Sequence, residues 1–297
     1  MSVALSGLFR KSEGFPEEAF ASSGKLMLYY PKMNSLLKIL PPSLVRAVGR
    51  LQFRFPFLRK MINKVGQSLT GEGTILRGAG KGLYFNATGC NPGFLVGTSE
   101  PLEQELLLRY AKEGKVVYDL GANAGYYVVI AAREVGSTGH VYAFEPTPDL
   151  VARIKENVIK NSFENVTVVD AAVAAEDGEV SFGIIGDLSV SNSIRFADSR
   201  DSVRVRALRL DTFVQQNRPP DLLLVDIEGA ELAALEGSLQ LLAQHKPVVM
   251  VEVHWLGQEF LDFLAKSILP LGYKATTYEG APLPTEKVRY HALLLPE

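Results

Sequence analysis

Cysteine and long apolar runs are almost absent from this chain. Cys90 is the one cysteine among 297 residues, so no disulfide can form within the chain. A lone thiol is typical of proteins from a reducing compartment. No run reaches the roughly 18 uncharged apolar residues that a membrane-spanning helix needs, and residues 1–14 lack the apolar core of a secretory signal. The sequence therefore predicts a cytoplasmic protein.

Acidic residues are missing from a long stretch near the N-terminus. No Asp or Glu occurs at 19–71, although the chain carries 33 acidic and 31 basic residues in total. The stretch contains nine cations mixed with apolar and aromatic residues, and prolines divide it into short helices. We therefore divide the chain into a basic, mostly helical N-terminal extension at 1–74 and an α/β domain at 75–297.

Several interpretations of the basic stretch at 19–71 stay open from the sequence. It could be a helical cap whose cations face water. It could instead contact an acidic carrier that presents the substrate, or an anionic membrane at the inner face, where each cation contributes about 1 kcal/mol. Nucleic acid is disfavoured as a partner because no known binding motif accompanies the charges.

A glycine-rich turn at 116–125 carries the main functional signal. A buried strand ends in Asp119 and Leu120, a tight turn between Gly121 and Gly125 follows, and a helix begins after it. The glycines allow a sharp turn and leave room for a ligand at the helix N-terminus. A carboxylate two residues before the first glycine would repel the pyrophosphate of a dinucleotide but would attract an amino acid tail. This pattern favours S-adenosylmethionine.

A second acid at the end of the next strand strengthens this interpretation. Glu145 follows 140–144 and precedes Pro146, a position from which a carboxylate can accept both hydroxyls of an adenosine ribose. The alternative is that Asp119 is a helix N-cap and Glu145 a solvated strand end. The complete order of strand, acid, glycine turn, helix, strand and acid is more specific than either motif alone.

Strands and helices alternate from about residue 99 onwards. This alternation predicts a mostly parallel sheet with helices on both faces, with the ligand at the carboxyl ends of the strands. The predicted elements are helix 102–112 capped by Ser99, strand 116–120, helix 125–135, strand 141–145, helix 149–161, strand 166–171, extra strands 178–184 and 203–208, a short helix near 211, strand 221–226, helix 229–243, strand 247–253, helix 257–268, and an antiparallel pair at 271–278 and 288–295.

Other strand ends carry further polar groups. Asp226 ends a fully apolar strand and is followed by Glu228 and Glu231, while Glu252 and His254 end the next strand. Glu231 could be purely structural, because acids near helix N-termini are favoured by the helix dipole. We expect His254 to face Asp226 across neighbouring strands.

These motifs together resemble the FkbM family of S-adenosylmethionine-dependent methyltransferases. The resemblance covers roughly 75–260. It implies a class I, Rossmann-like methyltransferase fold with a seven-stranded sheet whose last strand is antiparallel. It also implies methyl transfer to a hydroxyl oxygen of a glycan, a polyketide or a related small molecule. The matching motifs lie at 97–100, 119–125, 144–146, 157–161, 210–211 and 226–231.

The resemblance and the chemistry of the methyl donor assign roles to the site residues. We expect Asp119 to hold the methionine amino group, Glu145 the ribose hydroxyls, and Asp170 with Ala171 to border the adenine. Glu100 is expected to close over the methionine end. The predicted cofactor-binding residues are Glu100, Asp119, Gly121, Asn123, Gly125, Glu145, Pro146, Asp170 and Ala171.

Four residues are candidates to orient or deprotonate the acceptor: His254, Asp226, Glu228 and Glu252. His254 is the best single candidate for the base, because an unperturbed imidazole titrates near pH 6.5. The same group could hold a divalent cation. We do not favour a metal, because carboxylates at helix starts are common without one.

Two other functional classes stay open. A non-catalytic protein could bind S-adenosylmethionine, or dock a partner through its basic extension, but it would not need acids at four strand ends. Nicotinamide-dependent oxidation is disfavoured by Asp119 and by the lack of a third glycine at phosphate-binding spacing. The loops at 84–98 and 186–202 would shape the acceptor pocket, although no motif in them identifies the acceptor.

Overall fold

The computed structural model describes residues 71–183 and 202–297. The basic stretch at 19–71, apart from its last residue, and the loop at 186–202, apart from its last residue, therefore lie outside the described part of the chain. Residues 72–74, which the sequence assigned to the extension, form a short strand paired with Tyr84–Asn86.

The fold is built on a seven-stranded sheet in the order β11-β12-β10-β9-β3-β4-β5. β12 is antiparallel to both of its neighbours, and the other neighbouring pairs are parallel. The predicted class I fold with an antiparallel last strand is confirmed. The strands are β1 (Glu72–Thr74), β2 (Tyr84–Asn86), β3 (Val116–Leu120), β4 (His140–Phe144), β5 (Val166–Val169), β6 (Ala172–Val173), β7 (Gly178–Gly183), β8 (Ser202–Leu208), β9 (Leu222–Val225), β10 (Val248–His254), β11 (Tyr273–Thr277) and β12 (Arg289–Pro296).

Helices cover both faces of this sheet. Val117 packs into one apolar cluster, whereas its neighbours Val116 and Tyr118 pack into another, because successive side chains of a strand point to opposite faces. The helices are α1 (Pro92–Val96), α2 (Pro101–Tyr110), α3 (Tyr126–Val135), α4 (Pro148–Lys160), α5 (Leu210–Phe213), α6 (Glu231–Glu236), α7 (Leu239–His245) and α8 (Gln258–Phe263), the last continued by a π-helical turn at Leu264–Ile268.

β3 lies at the point where the strand order reverses. Asp119 pairs in register with Ala143 of β4 on one side and with Leu224 of β9 on the other. The connections therefore diverge to opposite sides of β3, and the loops at its carboxyl end leave a crevice. This topology places the glycine-rich turn at the natural ligand site of the fold.

Two predicted elements differ from the structure. The predicted strand 166–171 ends at Val169, and the chain then forms β6, which belongs with β7 and β8 to a separate three-stranded sheet. The predicted helix 229–243 is broken at Gly237, where a Cβ would overlap the carbonyl oxygen of Ala174. The break is stabilised by Asp211, whose carboxylate accepts the backbone N–H groups of Gln240 (3.2 Å) and Leu241 (2.8 Å).

Among residues 71–183 and 202–297, no helix has both the length and the apolar character that crossing a bilayer requires. The longest of them, α4, has 13 residues.

The close approach of the ends of β3 and β9 generates a stability prediction. Gly121 has φ +82°, and a Cβ there would overlap the backbone oxygen of Asp226. Gly280 has φ +83°, but a Cβ added there would meet nothing within 4 Å. Gly280→Ala should therefore lower the free energy of unfolding by about 1 kcal/mol, the penalty of a left-handed backbone alone. Gly121→Ala should lower it by about 3 kcal/mol or more, because the strand ends must also move apart.

Urea unfolding followed by circular dichroism measures both values. Equal losses in the two variants would show that the strand ends do not constrain the turn.

Candidate active site

A pocket opens at the carboxyl ends of β3, β9 and β10, with a volume of about 790 Å3 that includes the space at its mouth. Asp119, Asp226 and Glu252 line it. Each acid comes two residues after an apolar residue: Asp119 after Val117, Asp226 after Leu224, and Glu252 after Met250. The three apolar residues share one core cluster, so the three acids project from the same face of the sheet. The lining also includes Phe85, Cys90, Phe94, Glu100, Glu103, Leu107, Gly121, Ala122, Asn123, Ala124, Tyr126, Tyr127, Tyr278 and His291.

Asp119 is a buried carboxylate with one oxygen left without a partner. The residue is 5% exposed, and among the described residues Oδ2 has no hydrogen-bond partner. Burial, reinforced by the negative charge of Glu145, raises the pKa of Asp119 to about 7. A cationic group of a ligand would satisfy this oxygen and favour the ionised form.

Glu145 connects the glycine turn to the end of β4. It is 4% exposed, and its two oxygens accept the backbone N–H groups of Asn123 (3.0 Å) and Thr147 (2.8 Å). Burial raises the pKa of Glu145 to about 7, although these two hydrogen bonds act in the opposite direction. Each carboxylate oxygen has a second lone pair that can accept a further hydrogen bond. The Asn123 backbone is held at φ +49°, and Gly125 at φ +83° precedes α3.

The predicted adenine-binding residues, Asp170 and Ala171, are not among those that line the pocket. Asp170 is exposed, while Ala171 is buried and its N–H donates to the carbonyl oxygen of Val169 at 2.9 Å. The chain turns here from β5 into β6. Pro146 is buried in the turn after β4. These three residues do not line the pocket, and neither does Glu145.

Glu100 occupies the N-cap position of α2, so the predicted cap at Ser99 is wrong. The helix begins at Pro101, and Glu100 has φ +46° with no side-chain capping bond. Its carboxylate instead accepts the Tyr127 hydroxyl at 2.5 Å. Burial raises the pKa of Glu100, and the Tyr127 hydrogen bond partly offsets this rise. Glu100 therefore lines the pocket instead of capping the N-terminus of α2 with its side chain.

His254 lies among the acids as predicted. Its side chain is 2% exposed, and Nδ1 lies 2.8 Å from Oε1 of Glu231. Nε2 lies 3.4 Å from Glu228 and 3.8 Å from Asp226. Burial alone would lower the pKa of His254, but the hydrogen bond with Glu231 and the surrounding acids raise it overall. Glu231, which is fully buried, thus orients the imidazole in addition to beginning α6.

Asp226 is the most accessible acid of this cluster. Its side chain keeps 52% of its surface exposed, and it lines the pocket. Crowding by protein atoms, together with the negative charges of Glu252 and Glu228, raises the pKa of Asp226. The raised pKa makes Asp226 a stronger base than an ordinary aspartate once it is ionised.

The sequence interpretation missed Arg289 and His291. β12 pairs with β10 in a register that sets His291 opposite Glu252 and Arg289 opposite His254. Arg289 forms an ion pair with Glu252, while His291 lies 2.8 Å from Glu103 and 3.6 Å from Glu252. Burial of Glu252 would raise its pKa, but its hydrogen bonds to His291 and Arg289 lower that pKa to about 2.

His291 shows the reciprocal effect. Burial of the ring would lower the pKa of His291, but the hydrogen bonds to Glu103 and Glu252 raise it to about 10. Both cations therefore neutralise Glu252. Glu252 also lies 4.0 Å from Nε2 of His254, but the ion pairs with Arg289 and His291 distinguish it from Asp226 and Glu228.

The same three residues could hold a cation. One ligand atom from each of Asp226, Glu228 and His254 lies within 4.8 Å of the other two. Carboxylate and imidazole ligands suit several divalent metals, so the geometry keeps the metal alternative open.

The chain is similar to known methyltransferases. Residues 119–275 match the family model described as the methyltransferase FkbM domain. Among curated proteins, hexuronic acid methyltransferase AglP of Haloferax volcanii is 29% identical over 151 residues, which cover 50% of this chain and 60% of that protein. Arsenite methyltransferase of Halobacterium salinarum is 39% identical over 79 residues, 27% of this chain and 17% of that protein. The chain thus spans less than two thirds of each of these relatives.

Two solved structures are also similar. The methyltransferase FkbM of Methylobacillus flagellatus KT has a TM-score of 0.44 at 17% identity, over 61% of this chain and 43% of that one. A SAM-dependent O-methyltransferase of Thermotoga maritima has a TM-score of 0.40 at 15% identity, over 65% of this chain and 63% of that one.

The family match covers more than half of the chain and includes Asp119, the glycine turn, Glu145 and the acids from Asp226 to His254. Of these, Asp119, Gly121, Asp226 and Glu252 line the pocket, and Asp226, Glu228, Glu252 and His254 form the acidic edge beside it. The chain therefore belongs to the FkbM family of S-adenosylmethionine-dependent methyltransferases.

Proposed function

We propose that the protein transfers the methyl group of S-adenosylmethionine to a hydroxyl oxygen of an acceptor. The acceptor would be a glycan, a polyketide or a related small molecule, with a sugar ring favoured. The observation that carries the donor half of this proposal is Oδ2 of Asp119 beside the glycine turn, which has no hydrogen-bond partner within 71–183 and 202–297. The accessible Asp226 at the mouth of the same pocket carries the acceptor half.

The donor would bind along the turn between Gly121 and Gly125. Its ammonium group would approach Oδ2 of Asp119, and Glu100 would close the methionine end together with Tyr127. The ribose hydroxyls would use the remaining lone pairs of Glu145. Asp170 and Ala171 would border the adenine beyond the end of β5. S-adenosylmethionine supplies an activated methyl group on a sulfonium, so the protein has mainly to align the acceptor oxygen and remove its proton.

Asp226 and His254 would act on the acceptor as a pair. The acceptor oxygen forms a bond to the methyl carbon, the carbon–sulfur bond breaks with its electron pair going to sulfur, and the hydroxyl proton passes to the pair. The unperturbed pKa of an imidazole makes His254 the best single base candidate, but His254 is only 1% exposed, whereas the Asp226 side chain is 52% exposed. We therefore assign the contact with the hydroxyl to Asp226 and the orientation of Asp226 to His254. Because the two groups interact, the proton belongs to the pair rather than to one residue.

A sugar acceptor is supported by chemistry and by similarity. Carboxylates such as Asp226 and Glu228 accept hydrogen bonds from the hydroxyl groups of a sugar. The similar protein of Haloferax volcanii is named as a hexuronic acid methyltransferase. The rival proposal, a protein that binds the donor or docks a partner without catalysis, would leave Asp226 and His254 without a task. Peripheral contact of the basic stretch at 19–71 with a membrane or carrier stays a prediction.

The first functional prediction concerns Asp119→Asn. Folding raises the pKa of Asp119 from 3.8 to about 7, so the folded protein favours the protonated carboxyl. The resulting contribution to the free energy of unfolding is fully present below pH 3.8 and is lost as pH rises through 7. The neutral amide avoids this loss. At pH 8 without donor, the variant should be more stable than the wild type by about 1 kcal/mol or more. It should also bind S-adenosylmethionine about tenfold or more weakly, because a charge-assisted hydrogen bond is lost.

Urea unfolding and isothermal titration calorimetry measure these two effects. Asp262→Asn, which removes the same charge from an exposed position on α8, is the control and should change neither. A variant that loses stability and keeps donor affinity would contradict the assigned role.

The second functional prediction concerns the acceptor pair. Asp226→Asn and His254→Asn should each lower kcat by about 10²- to 10⁴-fold, the usual contribution of a general base. The amide of His254→Asn can still donate to Glu231, so this variant removes mainly Nε2. The affinity for S-adenosylmethionine should change less than about threefold in both, since neither residue holds the donor. If His254→Asn turns over at the wild-type rate while Asp226→Asn is inactive, the role of the pair is wrong and Asp226 is the base by itself.

The third functional prediction concerns metal. Methyl transfer should be unaffected by EDTA, because in the proposed mechanism Asp226 and His254 accept the hydroxyl proton without a metal. Activity would be assayed before and after EDTA treatment with a panel of sugar and polyketide hydroxyls. A loss of activity that magnesium or calcium restores would instead assign Asp226, Glu228 and His254 as metal ligands.

A further inference from the structure

Trp255 is an exposed aromatic side chain at the end of the site. It is the single tryptophan of the chain and directly follows His254, the last residue of β10. It is 52% exposed, and within 71–183 and 202–297 it is the one aromatic among the exposed large hydrophobic residues. Exposed tryptophan loses the stabilisation that burial of its large apolar surface would give. Its indole is therefore available to contact a ligand outside the fold.

The backbone of Trp255 is also strained. Its φ is +60°, a left-handed conformation that is unfavourable for a bulky residue and suits Gly or Asn better. The next two residues maintain the strain. Leu256 is buried, and Gly257 packs so closely that a Cβ would lie 2.8 Å from the carbonyl oxygen of Thr285. The two residues that follow Trp255 are thus held in place by packing. Strained residues that the surrounding structure fixes in this way concentrate at functional sites.

Trp255 is within reach of the acceptor position. Glu252 lines the pocket, and Trp255 is three residues further along the chain, at most about 11 Å even if fully extended. The neighbouring His254 lies 3.4 Å from Glu228 and 3.8 Å from Asp226. Trp255 is not among the residues that line the pocket, so its indole lies outside that lining but within reach of the carboxylates that we assign to the acceptor. A sugar ring has the matching surface, since one face presents C–H groups and its edge presents hydroxyls.

We infer that Trp255 is the stacking platform for a sugar ring of the acceptor, and that it acts with Asp226 to select such acceptors. The inference rests on the proposed function, because it takes the acidic edge to be the acceptor site. The indole face would pack on the C–H groups of the ring while Asp226 contacts the reacting hydroxyl. Trp255 is then a specificity-determining residue that does not bind the donor.

The single tryptophan provides a direct probe. Its fluorescence emission reports on Trp255 alone, so the full-length protein saturated with S-adenosylhomocysteine would be titrated with methyl β-D-glucuronide and with methyl β-D-glucoside. At least one of the two should shift or quench the emission in a saturable way. Glycerol at equal concentration has hydroxyls without a ring face and should leave the emission unchanged.

Variants test the same role by kinetics. Trp255→Ala should raise KM for the sugar about tenfold or more, as when an aromatic stacking partner is replaced by alanine. Trp255→Phe, which keeps a ring, should raise it less. Both should bind S-adenosylmethionine with wild-type affinity. Trp255→Gly, which accepts the left-handed backbone, should unfold at the same or a higher urea concentration than the wild type while losing acceptor affinity.

The outcomes separate the inference from the proposed function. If sugars are methylated but neither the emission nor the KM of Trp255→Ala changes, the stacking role is wrong and the proposed function stands. A Trp255→Gly variant of lowered stability would show a structural role and would also overturn the inference. If the donor binds normally and neither sugar is methylated nor alters the emission, the proposed acceptor class is wrong and the inference falls with it.

Discussion

The burial of the Asp119 carboxylate is the physical constraint on which the site depends. Asp119 lies at the carboxyl end of β3 with 5% exposure, and its Oδ2 has no hydrogen-bond partner among the described residues. Such a group destabilises the free protein at neutral pH. The surrounding structure prevents its relaxation: Gly121 lies against the backbone of Asp226, and Glu145 ties Asn123 to the turn after β4. The turn is therefore held open for a cationic ligand.

The acidic edge beside this turn is organised by charge as well as by position. Arg289 and His291 neutralise Glu252, whereas Glu231 orients His254 from behind. Asp226 is thereby left as the accessible acid at the mouth of the pocket. The protein thus separates structural carboxylates, which have fixed partners, from the carboxylate that we assign to the acceptor. This division could not exist without β12, whose antiparallel register supplies both cations.

Much of the fold and part of the site could be predicted from the sequence. The alternation of apolar runs with helical periodicity indicated the parallel core, and the acids at strand ends indicated Asp119, Asp226 and Glu252 in one pocket. Arg289 and His291 could not be found in this way, because the pairing of β12 with β10 joins residues about 40 positions apart and depends on the register of a hairpin. The prediction of that hairpin alone did not specify which strand it would join.

Local errors had local causes. Helix propensity continued across Gly237 and Ser238, but tertiary contact with Ala174 required a break there, and Asp211 provided the hydrogen bonds that stabilise it. Ser99 matched a capping pattern, yet Pro101 set the start of α2 and Glu100 took the cap position. At Gly237 the tertiary context outweighed the local preference, whereas at Ser99 one local signal, the proline at the first helical position, outweighed another.

The central claim is that the charge of S-adenosylmethionine is balanced by a buried acid that is partly protonated in the free protein. Calorimetric titration at pH 7 in two buffers of different ionisation enthalpy, such as phosphate and Tris, counts the protons exchanged on binding. Because burial raises the pKa of Asp119 to about 7, the account predicts that donor binding releases protons at this pH, and that Asp119→Asn reduces this release. A binding enthalpy that is identical in both buffers for the wild type would contradict it.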